Sequence, residues 1–174
     1  MDGDNQIKRA YESILQGDYE QAIRWFEEAI AAEPDNPAYH HKCSVTCLRS
    51  GKWGKALQHA EIAAQLAPGE TEYTYHLATV QARSLAASAA QELAGDAPDL
   101  AAVIGQVKLA VELDPLLDDG FVLLAAAYGA TGNFAEAAEA ARDALRLNPQ
   151  HGEAKRLFAQ YNRKRRQALK RLRG

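Results

Sequence analysis

Apolar and small residues recur along the chain at a fixed interval of 34 positions. In the first half the matching pairs are Ala22 with Ala56, Ala29 with Ala63, and Pro34 with Pro68. In the second half they are Leu100 with Phe134, Val103 with Ala137, Ala110 with Ala144, and Pro115 with Pro149. A repeat of this length is typical of supersecondary units that stack on one another to bury a continuous core.

Each unit is predicted to form two helices joined by a tight turn. The turn carries a glycine, a polar residue and an aromatic residue, at Gly17-Asp18-Tyr19, Gly51-Lys52-Trp53 and Gly132-Asn133-Phe134. Glycine ends the first helix because it takes the left-handed conformation without a steric cost. The aromatic residue begins the second helix, which ends before a proline because the residue preceding proline is pushed out of the helical region.

On these residues the chain resembles the tetratricopeptide repeat (TPR) family. The matching motifs are Gly17-Asp18-Tyr19…Ala22-Ile23…Phe26…Ala29…Pro34 and Gly132-Asn133-Phe134…Ala137…Ala144…Pro149. The resemblance implies an all-α fold, namely a right-handed α-solenoid of antiparallel helix pairs that binds other proteins. We expect four TPR-like repeats within residues 1–151, at 3–36, 37–70, 71–117 and 118–151, and a basic C-terminal capping helix at 152–174.

The third repeat departs from the pattern, since it is longer by 13 residues. The segment Thr71 to Leu93 contains no helix breaker, so we predict one helix that continues past the usual turn. Pro98 or Asp99 is expected to open the next helix. The lengthened helix is either a partner surface or a tolerated insertion, and the sequence favours neither.

The chain's charge is distributed unevenly. Residues 151–174 hold nine Lys or Arg and a single acid, a net charge of +8. Because the whole chain has a net charge of −3, the first 150 residues carry −11. The final helix has its apolar residues near one stripe and a basic outer face, Arg163, Lys164, Arg165, Arg166, Lys170 and Arg171. The sequence favours a solvating cap here. The alternatives are a contact with nucleic acid or an anionic membrane, and a docking helix for an acidic protein.

Composition indicates a soluble globular protein, with 47% hydrophobic and 25% charged residues. No apolar run is long enough to span a membrane, and Met1 is followed by Asp2 and Asp4 rather than by a basic segment. We therefore expect a cytoplasmic location.

Cys43 and Cys47 lie four apart on one predicted helix, a spacing that seldom meets disulfide geometry, so we expect reduced thiols.

The sequence contains little that indicates catalysis. It has no phosphate-binding glycine loop, no nucleophile elbow and no zinc-type cysteine pairing. His40, Cys43 and Cys47 share one helical face and have the residue types that hold a soft metal. Packing explains them better, because the cysteines fall on the face that meets the second helix of the repeat. We therefore expect no enzyme, no cofactor and no metal site.

A solenoid of this type binds its ligands along the concave face formed by the first helix of each repeat. Counting in repeats places these predicted peptide-contacting residues on that face: Lys8, Tyr11, His41, Lys42, Arg49, Tyr75, His76 and Arg83. Basic groups can pair with carboxylates while aromatic rings supply rigid contact area. We therefore predict an adaptor or scaffold that binds an acidic or carboxylate-bearing peptide segment of another protein. The alternative is an ordinary solvated face. The strongest contact predictions are Lys42, Arg49, Tyr75 and Arg83.

Other partners are weighed on the same face. Some TPR proteins hold a chaperone C-terminus with a Lys, Asn, Asn, Lys, Arg clamp, and the corresponding places here are Ile7, Tyr11, Lys42, Glu72 and His76, none of the expected type. The chaperone-clamp function is therefore not carried over.

In the fourth repeat the inward face is apolar, at Val122, Leu123 and Ala126, and is either an interaction patch or covered by another helix. Stacking of solenoid ends leaves a homodimer open.

Overall fold

The computed structural model describes the backbone of residues 3–173 and the side chains of residues 3–172. Within that range the secondary structure consists of nine α-helices and no β-strand. They are α1 (Gly3–Leu15), α2 (Tyr19–Ala32), α3 (Pro37–Arg49), α4 (Trp53–Leu66), α5 (Thr71–Leu93), α6 (Leu100–Leu113), α7 (Asp118–Ala130), α8 (Phe134–Leu147) and α9 (Gly152–Arg173). The chain forms two compact units, Met1–Ser84 and Leu85–Gly174, and α5 contributes residues to both.

The first unit contains α1 to α4 and the first part of α5. α1 packs on α2, α2 on α3, and α3 on α4. Its core is formed by Ala10, Ile23, Phe26, Cys43, Cys47, Ala56, Ala60 and Val80. The alanines and cysteines in this set are small, which lets the helix axes approach closely around the larger Phe26.

The turns inside the pairs have the chemistry that the sequence predicts. Gly17, Gly51 and Gly132 adopt φ values of 78°, 73° and 81°, and no non-glycine residue among those described has a positive φ. After the first of them, Asp18 donates its backbone N–H to the carbonyl of Ser13 at 2.9 Å, which closes a Schellman motif. The predicted role of these glycines as helix terminators is confirmed.

The lengthened helix is also confirmed, because α5 runs without interruption from Thr71 to Leu93. The next helix, α6, is capped by Asp99, whose carboxylate accepts a hydrogen bond from the backbone N–H of Ala102 at 3.0 Å. Capping of this kind satisfies one of the amide hydrogens that have no partner within the helix. Asp99, one of the two residues predicted to open this helix, is therefore its N-terminal cap.

The second unit contains the end of α5 and α6 to α9. α6 packs on α7, α7 on α8, and α9 lies against both α8 and α7. Its core is formed by Ala89, Val103, Val107, Leu124, Ala125, Ala127, Ala137, Ala138, Ala140, Ala141, Leu157 and Tyr161. The two residues from α9 in this set show that the final helix covers the last helix pair, as a capping helix must.

Both units are therefore built of helix pairs, and the fold class is the all-α solenoid that the repeats predict. The limits of the four repeats remain a prediction, since the two compact units meet inside α5. Residues 1, 2 and 174 of the predicted domain ranges lie outside the part of the chain that the structure describes. None of the helices described has the length and apolar character needed to span a membrane.

Candidate functional site

The first unit contains a cavity of about 350 Å³ between α1, α2, α3 and α5. Its lining residues are Tyr11, Ile14, Tyr19, Phe26, Ala38, His41, Lys42, Val45, Thr46, Arg49, Glu72 and Tyr73. Phe26 is almost fully buried, and the ring of Tyr11 meets it edge-on with the centroids 6.1 Å apart. The cavity therefore combines an aromatic floor with polar and charged walls.

Helix α3 supplies half of the lining because of its periodicity. Residues at 38, 41, 42, 45 and 49 fall on one helical face, which is the face turned toward the cavity. The start of this helix is fixed by Asn36, whose side chain accepts from the N–H of Ala38 at 3.1 Å, and by Pro37 in the first turn. The N-terminal cap thus sets the register in which α3 presents its side chains.

Two cations in the cavity wall lack an ion-pair partner among the described residues. Within residues 3–172, neither Lys42 nor Arg49 has a carboxylate oxygen within 4.0 Å. Elsewhere in the same unit lysines are paired, as Lys52 is with Glu20 at 2.9 Å. A concave site with unpaired positive charge is suited to an anionic group.

His41 lies at the centre of an aromatic contact. Its ring stacks on His76 with the centroids 4.8 Å apart and 16° between the planes, and meets Tyr73 edge-on at 4.9 Å. Its Nε2 is 3.9 Å from a carboxylate oxygen of Glu72, whose side chain is largely exposed at the rim. Burial lowers the pKa of His41, the nearby Glu72 opposes that shift, and Lys42 adds to it. The net lowering favours the neutral imidazole at neutral pH.

His76 lies behind His41 and is held by Ser44. The Ser44 hydroxyl donates to the backbone carbonyl of Ala56 at 2.6 Å, so its oxygen is left to accept from His76 Nε2–H at 2.8 Å. Burial, His41 and Arg83 together lower the pKa of His76 to about 4. Ser44 is fully buried and its proton is given to a backbone carbonyl. The serine–histidine pair is therefore a structural link between helices and not a nucleophile with its base.

The structure brings together only part of the predicted groove. Tyr11, His41, Lys42 and Arg49 line the cavity. The other four predicted residues, Lys8, Tyr75, His76 and Arg83, do not: three are exposed outside its lining, and His76 lies behind His41.

Tyr73 is a lining residue that the sequence reasoning missed. Counting in repeats selected Tyr75, whose side chain is 61% exposed. The available signal was the position of Tyr73 in the first turn of α5, because side chains tilt toward the N-terminus of their helix and there lean over the neighbouring helix.

The cysteines and His40 belong to the packing. Among residues 3–172 no three side chains of His, Cys, Asp or Glu are grouped closely enough to hold a metal ion. His40 is bonded to protein instead: its Nε2–H donates to the carbonyl of Pro34 at 2.9 Å, and its Nδ1 accepts from His59 Nδ1–H at 3.0 Å. Cys43 and Cys47 are buried thiols outside any disulfide, and their mutual hydrogen bond raises the pKa of Cys43.

The apolar face of the fourth repeat is covered in part. Val122, Leu123 and Ala126 pack against the core of the second unit, the core to which α9 contributes Leu157 and Tyr161. Of the two alternatives left open by the sequence, the structure favours packing over an exposed patch.

The six basic residues predicted on the outer face of α9 divide into two sets. Lys164 lies over the ring of Phe134 at 5.0 Å, and Arg165 lies 3.9 Å from a carboxylate oxygen of Glu139. The others, Arg163, Arg166, Lys170 and Arg171, are exposed and have no carboxylate within 4.0 Å in the part of the chain described. The outer set leaves a concentrated positive charge in solvent.

Two family models match the chain. One described as TPR repeat matches residues 11–51, and one described as tetratricopeptide repeat matches residues 119–151. The chain belongs to the tetratricopeptide repeat family. Members of this family are generally non-catalytic. The match makes this TPR protein a protein–protein interaction module by class. No curated protein matches the chain.

Several solved structures share the fold at low sequence identity. YrrB, described as a TPR protein with an unusual peptide-binding site, is 19% identical over 88% of this chain and 73% of its own, with a TM-score of 0.53. MamA from Desulfovibrio magneticus RS-1 is 15% identical over 95% of this chain and 96% of its own, with a TM-score of 0.52. A tetratricopeptide repeat protein from Parabacteroides merdae ATCC 43184 is 16% identical over 94% of this chain and 60% of its own, with a TM-score of 0.54.

Proposed function

We propose that this TPR protein is a non-catalytic adaptor whose first-unit cavity binds a segment of a partner protein through an acidic side chain or a terminal carboxylate. The observation that carries the proposal is the pair of unpaired cations, Lys42 and Arg49, in a concave wall that also holds aromatic rings. A carboxylate that enters this wall gains charge-assisted hydrogen bonds without displacing an existing ion pair.

The shape and composition of the cavity support a ligand of this class. Its volume of about 350 Å³ lies near the lower end of ligand pockets, which span roughly 300–1,000 Å³. It therefore suits a short anchor rather than a whole helix. Tyr11 and Tyr73 line the same cavity as the cations. Tyrosine supplies large contact area at a low cost in conformational entropy. An acidic residue next to an apolar one fits both features.

Acidic groups that could compete with a ligand are few at the site. Among the described residues that line the cavity, Glu72 is the one carboxylate, and it lies at the rim with its side chain 75% exposed. It can turn outward to solvent when an anion enters. YrrB, which shares this fold, is described as having a peptide-binding site, and that supports a peptide as the class of ligand here.

The test is a selection of random-sequence peptides displayed on phage against the full-length protein. We expect enriched peptides with Asp or Glu beside an apolar residue, and loss of their binding to the Lys42→Glu/Arg49→Glu variant. The matched control is Lys8→Glu/Arg83→Glu, which makes the same charge change at exposed positions outside the lining. Enriched peptides that lack acidic residues and bind equally well as synthetic C-terminal amides would refute the proposal. Equal loss in both variants would also refute it, because that result would place the contact on a wider face than the cavity.

A further inference from the structure

The apolar stripe of α9 continues beyond the helices that cover it. Ala154, Leu157 and Tyr161 are buried, at a spacing that places them on one face of the helix. The same periodicity brings Leu169 and Leu172 onto or beside this face two turns later. Their side chains are 50% and 84% exposed. The pattern that docks the first half of the helix is therefore repeated in a half that has nothing to dock on among the described residues.

The start of α8 explains why the cover stops. Phe134 is the first residue of α8. Its ring stacks against the ring of Tyr161 with the centroids 6.2 Å apart, and the Nζ atom of Lys164 lies 5.0 Å from its centroid. Since α9 runs on to Arg173, the residues after Arg165 pass beyond the start of α8, and all of residues 166–172 are exposed. At 1.5 Å per residue this protruding part is about 10 Å long.

Positive charge lies on both sides of the protruding stripe. Successive residues of an α-helix are rotated by about 100° around its axis. This rotation places Arg166 and Lys170 on one side of the stripe and Arg171 on the other. No acidic residue follows Glu153, so nothing within the segment neutralises these cations. The α9 end, defined as residues 163–172, thus combines two exposed leucines with a strongly basic surround.

This combination distinguishes among the polyanions that a basic helix can bind. Nucleic acid would neutralise the cations through counterion release but would leave the leucines in water, and the segment has no aromatic ring to stack on bases. At an anionic bilayer surface the leucines enter the boundary of the acyl chains while arginine and lysine extend to the phosphate headgroups. We propose that the α9 end is an amphipathic segment that docks this protein on anionic lipid surfaces.

Both parts of the segment are needed for such docking. Two leucines bury too little apolar area to hold a protein on a neutral membrane, and exposed cations alone give an attraction that salt screens within about 10 Å. Binding should therefore be reversible, require anionic lipid and weaken as ionic strength rises. The cavity plays no part in this docking, because it belongs to the first unit and is formed by other residues.

The experiment is co-sedimentation of the full-length protein with vesicles of phosphatidylcholine and phosphatidylglycerol, and with vesicles of phosphatidylcholine alone. We expect binding to the mixed vesicles only. Leu169→Ser/Leu172→Ser should weaken it about tenfold. Lys170→Gln/Arg171→Gln should weaken it to a similar extent and reduce its salt dependence. The matched control, Lys155→Gln/Arg156→Gln, removes two cations from the first turns of the same helix and should have little effect.

Thermal unfolding of each variant checks that it is folded. We expect all of them to be folded, because the altered residues are exposed. Absence of binding to mixed vesicles, or equal binding to both kinds of vesicle, would overturn the proposal. It would also be overturned if the leucine variant bound mixed vesicles as well as the unaltered protein does. Tight binding of duplex DNA with no vesicle binding would reassign the segment to nucleic acid.

Discussion

The phenol of Tyr161 in α9 lies directly against the backbone of Gly129 in α7. A Cβ atom at position 129 would overlap the hydroxyl oxygen and the adjoining ring carbons of Tyr161. The tyrosine is 6% exposed and its ring also stacks against Phe134. Glycine in a helix interior is normally unfavourable, so its presence here is explained by the close approach of the capping helix.

Gly129→Ala should therefore destabilise the protein. Overpacking of a well-filled core costs about 1–3 kcal/mol, and here the added methyl must displace a buried ring. The measurement is the free energy of unfolding from urea titration. The control is Gly105→Ala on α6, where an added Cβ meets nothing within 4 Å. That change should stabilise by about 0.5–1 kcal/mol through helix propensity. Equal stabilities for the two variants would disprove the close contact.

Ser44→Ala should be costly, because one hydroxyl connects α3 to Ala56 in α4 and to His76 in α5. Its removal leaves the Nε2–H of His76 without its acceptor, and an unsatisfied buried polar group costs about 1–3 kcal/mol. Ser13→Ala is a matched control, since that hydroxyl bonds to the carbonyl of Arg9 within its own helix. We expect the control to change the free energy of unfolding by less than about 0.5 kcal/mol. A larger loss of stability for Ser13→Ala than for Ser44→Ala would contradict the role of Ser44 as a link between helices.

Stability should fall as the pH is lowered from 6.5 toward 4. The pKa of His76 is about 4 in the folded protein, below its ordinary value of 6.5, chiefly because of burial. In this window the unfolded chain binds a proton that the folded chain does not, so stability is full above pH 6.5 and decreases below it. Burial also lowers the pKa values of His41 and His59, which adds in the same direction.

The measurement for this pH effect is the free energy of unfolding across the window for the unaltered protein and for His76→Gln. The glutamine amide can still donate to Ser44 but does not titrate, so the slope against pH should become shallower. An unchanged slope would show that other groups account for the acid sensitivity. Comparison of the two proteins above pH 7 gives the cost of the substitution itself.

The sequence predicted the helices and their turns well because these depend on local backbone chemistry. Gly17 adopts the left-handed conformation that glycine takes without a steric cost at the end of a helix. The absence of a breaker between Thr71 and Leu93 is sufficient to predict α5. The packing role of Cys43 and Cys47 followed from their place in the repeat, and both are fully buried. Such features are set by residue type at a fixed interval.

The cavity was predicted less completely because its lining depends on how neighbouring helices are offset. A count in repeats shows which positions are equivalent, but not which side chain of α5 leans over α3. The link from Ser44 to His76 and the bond between His40 and His59 were not predicted for the same reason. The protruding leucines of α9 also required the position at which α8 begins.

The offset between the predicted and observed sites yields a direct test with a matched pair of tyrosines. Tyr73 lines the cavity and contacts His41, whereas Tyr75, two residues along the same helix, is exposed outside the lining. For acidic peptides selected on the protein, Tyr73→Ala should weaken binding about tenfold, since truncating a central aromatic contact commonly costs more than about 1 kcal/mol. Tyr75→Ala should change it by less than about twofold. Fluorescence anisotropy of labelled peptides gives both dissociation constants. If Tyr75→Ala is the damaging change, peptides bind the face that the repeat count selects, and the cavity is not the binding site.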